Sequence, residues 1–126
     1  NLGKYYTLKA WNKWEDKSYY DQRISIIDEI PDIHKTIIVI GKEKSGKTFL
    51  INQWKVHCPN KFVDVSFNKV TIQDILHNAF MLRDEVKNAA SECFFKGKIL
   101  VIETSEFNLN CIPKHIKKDS AIITLV

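Results

Sequence analysis

The stretch Ile37–Trp54, IIVIGKEKSGKTFLINQW, joins two segments whose apolar residues follow different patterns. Thr36–Ile40 is an unbroken run of β-branched residues, which is typical of a strand covered on both faces in the middle of a sheet. Thr48–His57 has apolar residues at helical spacing, and we expect its inner stripe to be Leu50, Ile51 and Trp54. The eight residues GKEKSGKT (41–48) therefore connect a predicted buried strand directly to a predicted helix.

The same alternation of strand and helix continues away from this junction. Further strands are predicted at Lys61–Phe67, Lys98–Thr104 and Ser120–Val126. Residues 23–30 are predicted to be helical as far as Pro31, and Thr71–Phe95 to form one long helix or two. The buried side of this second helical segment is expected to contain Ile72, Ile75, Leu76, Ala79, Phe80 and Leu82. Between the last two strands, Phe107–Ile116 is predicted to be irregular or to form one helical turn around Pro113.

Strands that alternate with helices along a chain form parallel βαβ units with right-handed crossovers. We therefore expect an α/β fold, a three-layer α/β/α sandwich with a mostly parallel sheet. A chain of 126 residues has the size of one domain. Residues 1–30 are predicted to be an aromatic and charged lead-in, with Trp11 and Trp14 on one face of a short helix, and residues 31–126 to form the core. The lead-in either packs on the domain or offers rings for stacking on bases.

Composition and charge narrow the range of partners. The net charge of +4 permits an anionic partner such as DNA or another nucleic acid, but a lysine-rich solvated surface explains it equally well. The three cysteines, Cys58, Cys93 and Cys111, form no CxxC or Cys/His cluster, so we expect no zinc site. No apolar run approaches the roughly 18 residues of a membrane span, and no signal peptide is visible. We expect a cytoplasmic protein with reduced thiols and no membrane partner.

The junction fits the pattern G-x-x-x-x-G-K-[ST], and its position between strand and helix is the context that this pattern requires. The two glycines allow a tight turn and let backbone amides approach a phosphate with no Cβ in the way. Amides in succession at a helix N-terminus form a nest for an anion. A lysine-rich solvated turn, the alternative, does not explain the positions of both glycines. The candidate nucleotide-binding residues are Gly41, Lys42, Glu43, Lys44, Ser45, Gly46, Lys47 and Thr48.

Different residues of this loop are expected to contact different parts of the ligand. Lys47 would reach the β- and γ-phosphate oxygens, and the Thr48 hydroxyl would ligate Mg²⁺. Lys42 and Lys44 would add only background positive potential. The sequence therefore predicts ATP and Mg²⁺ as the ligands of this loop, with Lys47 as a catalytic candidate if the nucleotide is hydrolysed.

A second candidate position follows the apolar run Ile99–Ile102, where Glu103 ends a predicted strand. An acid there can hold Mg²⁺ or orient an attacking water, so Glu103 is both a metal and a catalytic candidate. Its alternative is a strand-end acid that faces solvent. Thr104 follows it, and Glu106 is a weak candidate for a catalytic base from the next loop.

These features resemble the P-loop NTPases, and the order of elements looks like the additional-strand class, which includes AAA+ ATPases and helicases. Residues 27–54 are similar to the start of DnaA- and Hda-type replication ATPases and to superfamily 3 helicase domains of viral and plasmid replication proteins. The resemblance implies that Thr124, at the end of the last strand, senses the γ-phosphate. The Asp-Glu pair usual in such ATPases is replaced here by Glu103–Thr104. The C-terminal lid and further strand of these families are missing, so we expect a core truncated at its C-terminus.

Three functions are consistent with this sequence. The leading one is ATP binding with hydrolysis in a DNA-replication or nucleoprotein-remodelling machine, as a homo-oligomer or part of a larger assembly. The second is a small nucleoside or nucleotide kinase, although no arginine follows Arg83 to serve in a lid. The third is a nucleotide-dependent switch or scaffold without turnover, which the single carboxylate favours. No N-K-x-D motif for guanine is present, which argues against GTP.

Overall fold

The computed structural model describes residues 4–8, 34–42, 45–67, 75–105, 109, 112–118 and 120–126, and of residues 57, 67 and 75–82 it describes the backbone alone. These residues form five strands and three helices, which in chain order are β1 (Lys4–Leu8), β2 (Thr36–Gly41), α1 (Lys47–His57), β3 (Phe62–Phe67), α2 (Ile75–Lys96), β4 (Ile99–Thr104), α3 (Lys114–Lys117) and β5 (Ala121–Leu125). The strands lie in the order β1-β5-β2-β4-β3, and every neighbouring pair is parallel. The predicted α/β class is confirmed.

Helices cover both faces of the sheet. On the first face, the inner stripe predicted for α1 packs on the strands, and Trp54 lies over Phe62 with ring centroids 6.1 Å apart. On the second face, α2 and α3 bury Val86, Ala89, Cys93 and Ile116. This layering is compatible with the predicted α/β/α sandwich. It also explains why β2 and β4, between the two layers, are apolar on both sides.

The four predicted strands are confirmed, each within one residue at either end. One strand was not predicted: Lys4–Leu8 lies within the expected lead-in and pairs with β5 at the edge of the sheet. Its sequence, KYYTL, lacks the unbroken apolar run of the central strands, because an edge strand is less covered. The predicted helix over 23–30, the pair Trp11 and Trp14, and the predicted buried side chains between residues 72 and 82 lie outside what the structure describes.

The strand that ends in the acid lies next to the strand before the loop. β2 pairs directly with β4, with Ile38 beside Ile102, so no described strand separates the strand before the loop from the strand that ends in the acid. A strand inserted between these two is the feature for which the additional-strand class is named. Here β5 pairs instead with the opposite side of β2. The likeness to that class therefore does not extend to the order of the described strands.

Among the described residues, no helix combines the length and the apolar character that crossing a membrane requires.

Candidate functional site

The predicted loop lies at the carboxyl edge of the sheet, between the end of β2 and the start of α1. Gly41 is the last residue of β2, and Gly46 precedes the first residue of α1. Gly46 has φ 94° and ψ 20°, the left-handed region that glycine adopts without strain. Gly46 has no side chain that could cap α1, so the amides of the first turn have no acceptor from the N-cap residue. Such amides form a ready site for an anion.

The chain is too tightly packed at Gly41 for a larger residue. A Cβ at this position would lie 2.7 Å from Ser45 Oγ and 3.2 Å from both the Cβ and the backbone oxygen of Leu125. The close approach follows from the register, because Gly41 and Leu125 are paired across β2 and β5. The first glycine of the motif is therefore required by packing against β5, in addition to the turn that it begins.

Lys47 folds back over the loop. Its side chain is only 6% exposed, and Nζ donates hydrogen bonds to the backbone oxygens of Gly41 at 2.6 Å and Lys42 at 3.2 Å. A further backbone bond, from the Ser45 amide to the Lys42 oxygen at 3.1 Å, closes the turn. The charged amine thus lies inside the curve of the loop, where it can exchange carbonyl oxygens for those of a bound anion. The Lys42 side chain is exposed, as expected for a residue that adds only background potential.

Ser45 was predicted only as one residue of the loop, but its surroundings distinguish it. The residue is 6% exposed, and its Oγ has no hydrogen-bond partner within the described part of the chain. A buried hydroxyl without a partner costs about 1–3 kcal/mol. A ligand oxygen in the loop would remove that cost. No sequence signal marks this hydroxyl, because x positions of the motif accept many residue types.

Thr48 and Glu103 meet across the site. The Thr48 hydroxyl donates to Glu103 Oε1 at 2.5 Å, although the two residues are 55 positions apart in the chain. Glu103 is 4% exposed, and it lies in register with Val39 of β2 and Ser66 of β3. The alternative of a solvent-facing acid is therefore excluded by its burial. The predicted metal candidates are brought into direct contact.

This pair fits a magnesium ion. Mg²⁺ prefers oxygen ligands, keeps several waters, and is usually held by one or two carboxylates together with substrate phosphates. The Thr48 hydroxyl and the Glu103 carboxylate supply two such oxygens beside the anion-binding turn. The described residues contain no group of three or more His, Cys, Asp or Glu side chains that could hold a metal by themselves. A metal here would therefore need phosphate oxygens and water to complete its shell.

Thr124 is not brought together with this pair. It lies in register with Ile40 of β2, near the same edge of the sheet. Side chains alternate along a strand, so Thr124 shares the second face with Ile122, whereas Glu103 shares the first face with Val101. The sensing role of Thr124 stays a prediction. Glu43, Lys44 and Glu106 lie outside the described residues.

The glycine turn, the enclosed lysine and the hydroxyl–carboxylate pair meet at one edge of the sheet, where they can hold an anion and a divalent cation side by side. Crevices at the carboxyl ends of parallel strands are the usual ligand sites of open α/β sheets. No family model matches the chain, and neither curated proteins nor solved structures provide a match. The assignment of the site therefore depends on its residues and their geometry.

Proposed function

We propose that this chain is a P-loop domain that binds a nucleoside triphosphate, with ATP as the expected nucleotide, together with Mg²⁺. The observation that carries the proposal is the hydrogen bond between Thr48 and the buried Glu103, beside a glycine turn that opens a helix. A lysine-rich solvated turn would have no reason to be joined to a buried acid on another strand. The contact supports a site that handles phosphate and a cation together.

The roles of the residues follow from their positions. The amides at the start of α1 would bind the β-phosphate, and Lys47 Nζ would pair with the β- and γ-oxygens in place of the carbonyl oxygens that it contacts now. Thr48 and Glu103 would hold Mg²⁺, which when bound supplies positive charge against the phosphate oxygens. Because Thr48 and Glu103 already touch, little rearrangement is needed to bring two ligands to one ion.

Turnover is a separate question from binding. Thr104, which follows the acid, is fully buried and lies on the second face of the sheet, so it cannot act beside Glu103 as a second acid–base group. Within the described residues, Glu103 would have to serve both the metal and the attacking water. We therefore propose that this chain alone hydrolyses its nucleotide slowly. A part in DNA replication remains a prediction from the resemblance.

The first test compares Mg²⁺-ATP binding by the wild type and by Lys47→Ala, using calorimetry. Loss of a charged group that pairs with phosphates should weaken binding by about 2–4 kcal/mol, or roughly thirtyfold to several hundredfold. Lys42→Ala is the matched control, since its exposed side chain should contribute only a few-fold through long-range potential. Equal affinities for the wild type and Lys47→Ala would rule out the proposed mode of binding.

The second test addresses the cation through Glu103→Gln. The amide oxygen still accepts from Thr48, so folding should be retained, but the negative charge is lost. We expect affinity for ATP with Mg²⁺ to fall at least tenfold, while affinity in excess chelator changes little. An equal effect in both conditions would mean that Glu103 does not serve the metal.

Two further measurements separate an ATPase, a kinase and a scaffold. They are phosphate release, with and without single-stranded DNA, and labelling of nucleoside acceptors.

A further inference from the structure

The edge of the sheet opposite the loop has a row of lysines. Because all five strands are parallel, their first residues lie along one edge, here called the amino edge. A lysine opens β1, one immediately precedes each of β2, β3 and β4, and one lies shortly before β5. In the order of the strands across the sheet, they are Lys4, Lys118, Lys35, Lys98 and Lys61. Four of the five are exposed, and Lys98 is half-buried.

Backbone hydrogen bonds fix part of this row. The Ile99 amide donates to the Lys61 oxygen at 2.9 Å, and the Leu100 amide donates to the Lys35 oxygen at 3.0 Å. Neighbouring strands are about 4.8 Å apart, so five positions extend over roughly 19 Å. The register makes the row stepped, since Lys4 is level with Ile37, two residues beyond Lys35. The row is therefore a positively charged strip along the amino edge, long enough for several phosphates of a polynucleotide.

Two exposed aromatic rings lie at the end of α2 from which the chain continues through Lys98 into β4. Phe94 and Phe95, in the last turn of α2, are 83% and 85% exposed, and their rings meet edge to face with centroids 5.7 Å apart. They border an open groove of about 450 Å³ between α2 and α3, which Lys87 and His115 also line. Two neighbouring phenylalanines left in water are unusual, and such patches commonly mark binding sites.

The charge around these rings is mostly positive. In the same turn of α2, Glu92 is paired with Lys96 at 2.8 Å. Across the groove, α3 contributes His115 and Ile116 to the lining, and the same short helix carries Lys114 and Lys117. Lysines near helix C-termini also stabilise the helix dipole, which accounts for Lys96. The helix dipole gives no reason for Phe94 and Phe95 to be exposed.

We propose that the amino edge, with the groove between α2 and α3, binds single-stranded nucleic acid. The lysine row would contact phosphates, and Phe94 and Phe95 would stack on bases. Stacking on exposed rings requires bases that are not paired in a duplex, so the single strand is the favoured form. The site is separate from the loop, and it does not depend on the proposed nucleotide function.

The first test measures the anisotropy of fluorescein-labelled oligothymidylate and oligouridylate of about 16 nucleotides with the whole chain and no nucleotide present. Phe94→Leu with Phe95→Leu keeps apolar bulk but removes the rings, and should weaken binding at least about fivefold for each ring that stacks. Phe94→Tyr with Phe95→Tyr should retain binding. Equal binding by the leucine variant, or equal binding of a duplex, would overturn the proposal.

The second test concerns charge. Lys35→Gln, Lys61→Gln and Lys98→Gln together should flatten the dependence of log affinity on log salt by about 0.7 for each phosphate that is no longer neutralised. The three corresponding arginine substitutions should restore it. An unchanged slope in the glutamine variant would overturn the proposed contact between the lysine strip and the phosphates.

Concentration-dependent self-association of the chain without oligonucleotide binding would also overturn the proposal and assign the groove to a second copy. Circular dichroism of each variant verifies folding.

Discussion

At the scale of single residues, the loop depends on the small size of Gly41. In Gly41→Ala, the new Cβ would meet Ser45 Oγ and the Leu125 backbone, and Leu125 cannot move without displacing β5. We expect a loss of about 1–3 kcal/mol in the free energy of unfolding, measured in urea, and weaker ATP binding.

Gly97→Ala provides the matched control for that substitution. Nothing lies within 4 Å of its added Cβ, but the residue has φ +65°, so alanine is strained there. This control should lose about 1 kcal/mol of stability while keeping its affinity for ATP. If both alanine variants affected ATP binding equally, the effect of Gly41→Ala would reflect stability alone.

The residues of the site also show which of its contacts can be predicted from the sequence. Gly41, Gly46 and Lys47 belong to one contiguous motif, so their proximity is fixed by local chain geometry. The contact between Thr48 and Glu103 depends on which strands are neighbours and in what register, and neither property is contained in local spacing. Thr124 illustrates the same limit, because an error of a single residue in alternation moves a side chain to the other face.

At the scale of elements, α2 buries a stripe that includes Cys93, and this burial has a chemical consequence. Burial raises the pKa of the Cys93 thiol, and the Glu92 carboxylate adds to the effect. The thiolate is the reactive form, so Cys93 of the folded protein should be modified slowly at neutral pH. We expect Cys58, which is only partly buried, to react with a maleimide first, as followed by peptide mass spectrometry.

The pH dependence of this labelling has a definite sign. Because the pKa of Cys93 is higher in the folded than in the unfolded protein, the protonated thiol favours the folded state. This contribution to the free energy of unfolding is fully present below the ordinary thiol pKa, and it is lost as pH rises through the raised pKa. Cys93 labelling should therefore accelerate at alkaline pH, beyond the point where an ordinary thiol has reached its full rate. Labelling of Cys93 as fast as Cys58 at neutral pH would show that α2 does not cover the sheet as described.

Elements were predictable where their pattern is strong. β2 and β4 are continuous apolar runs, and the burial of every residue of β4 confirms that reading. β1 was missed because its only described neighbour is β5, so its sequence needs no apolar pattern on both sides. For α2, the described buried residues come from its second half: Val86, Ala89 and Cys93. The inner stripe predicted between residues 72 and 82 stays a prediction, because those side chains lie outside the described ones.

At the scale of the whole molecule, the order of elements along the chain does not decide the order of strands in the sheet. Right-handed crossovers allow β5 to lie on either side of β2. In this structure β5 lies on the side away from β4, which places Glu103 on the strand next to the loop and within reach of Thr48. The strand order therefore creates the site, although it differs from that of the class that the sequence resembles.

The parallel sheet also separates the two proposed binding regions. The loop lies at the carboxyl ends of the strands, and the lysine row lies at their amino ends, one strand length away. Strands of five or six residues are about 17–20 Å long, so a nucleotide and an oligonucleotide should bind at the same time. We expect saturating Mg²⁺-ATP to leave the labelled oligonucleotide bound, with its affinity changed less than threefold.

Competition would give a different result. Phosphates of the oligonucleotide could enter the glycine loop, and ATP would then displace the labelled strand with an inhibition constant equal to its own dissociation constant. The titration is repeated with Lys47→Ala, which should no longer respond to ATP if displacement occurs at the loop. Displacement from the wild type that is lost in this variant would assign both ligands to the carboxyl edge and leave the amino edge without a role in binding.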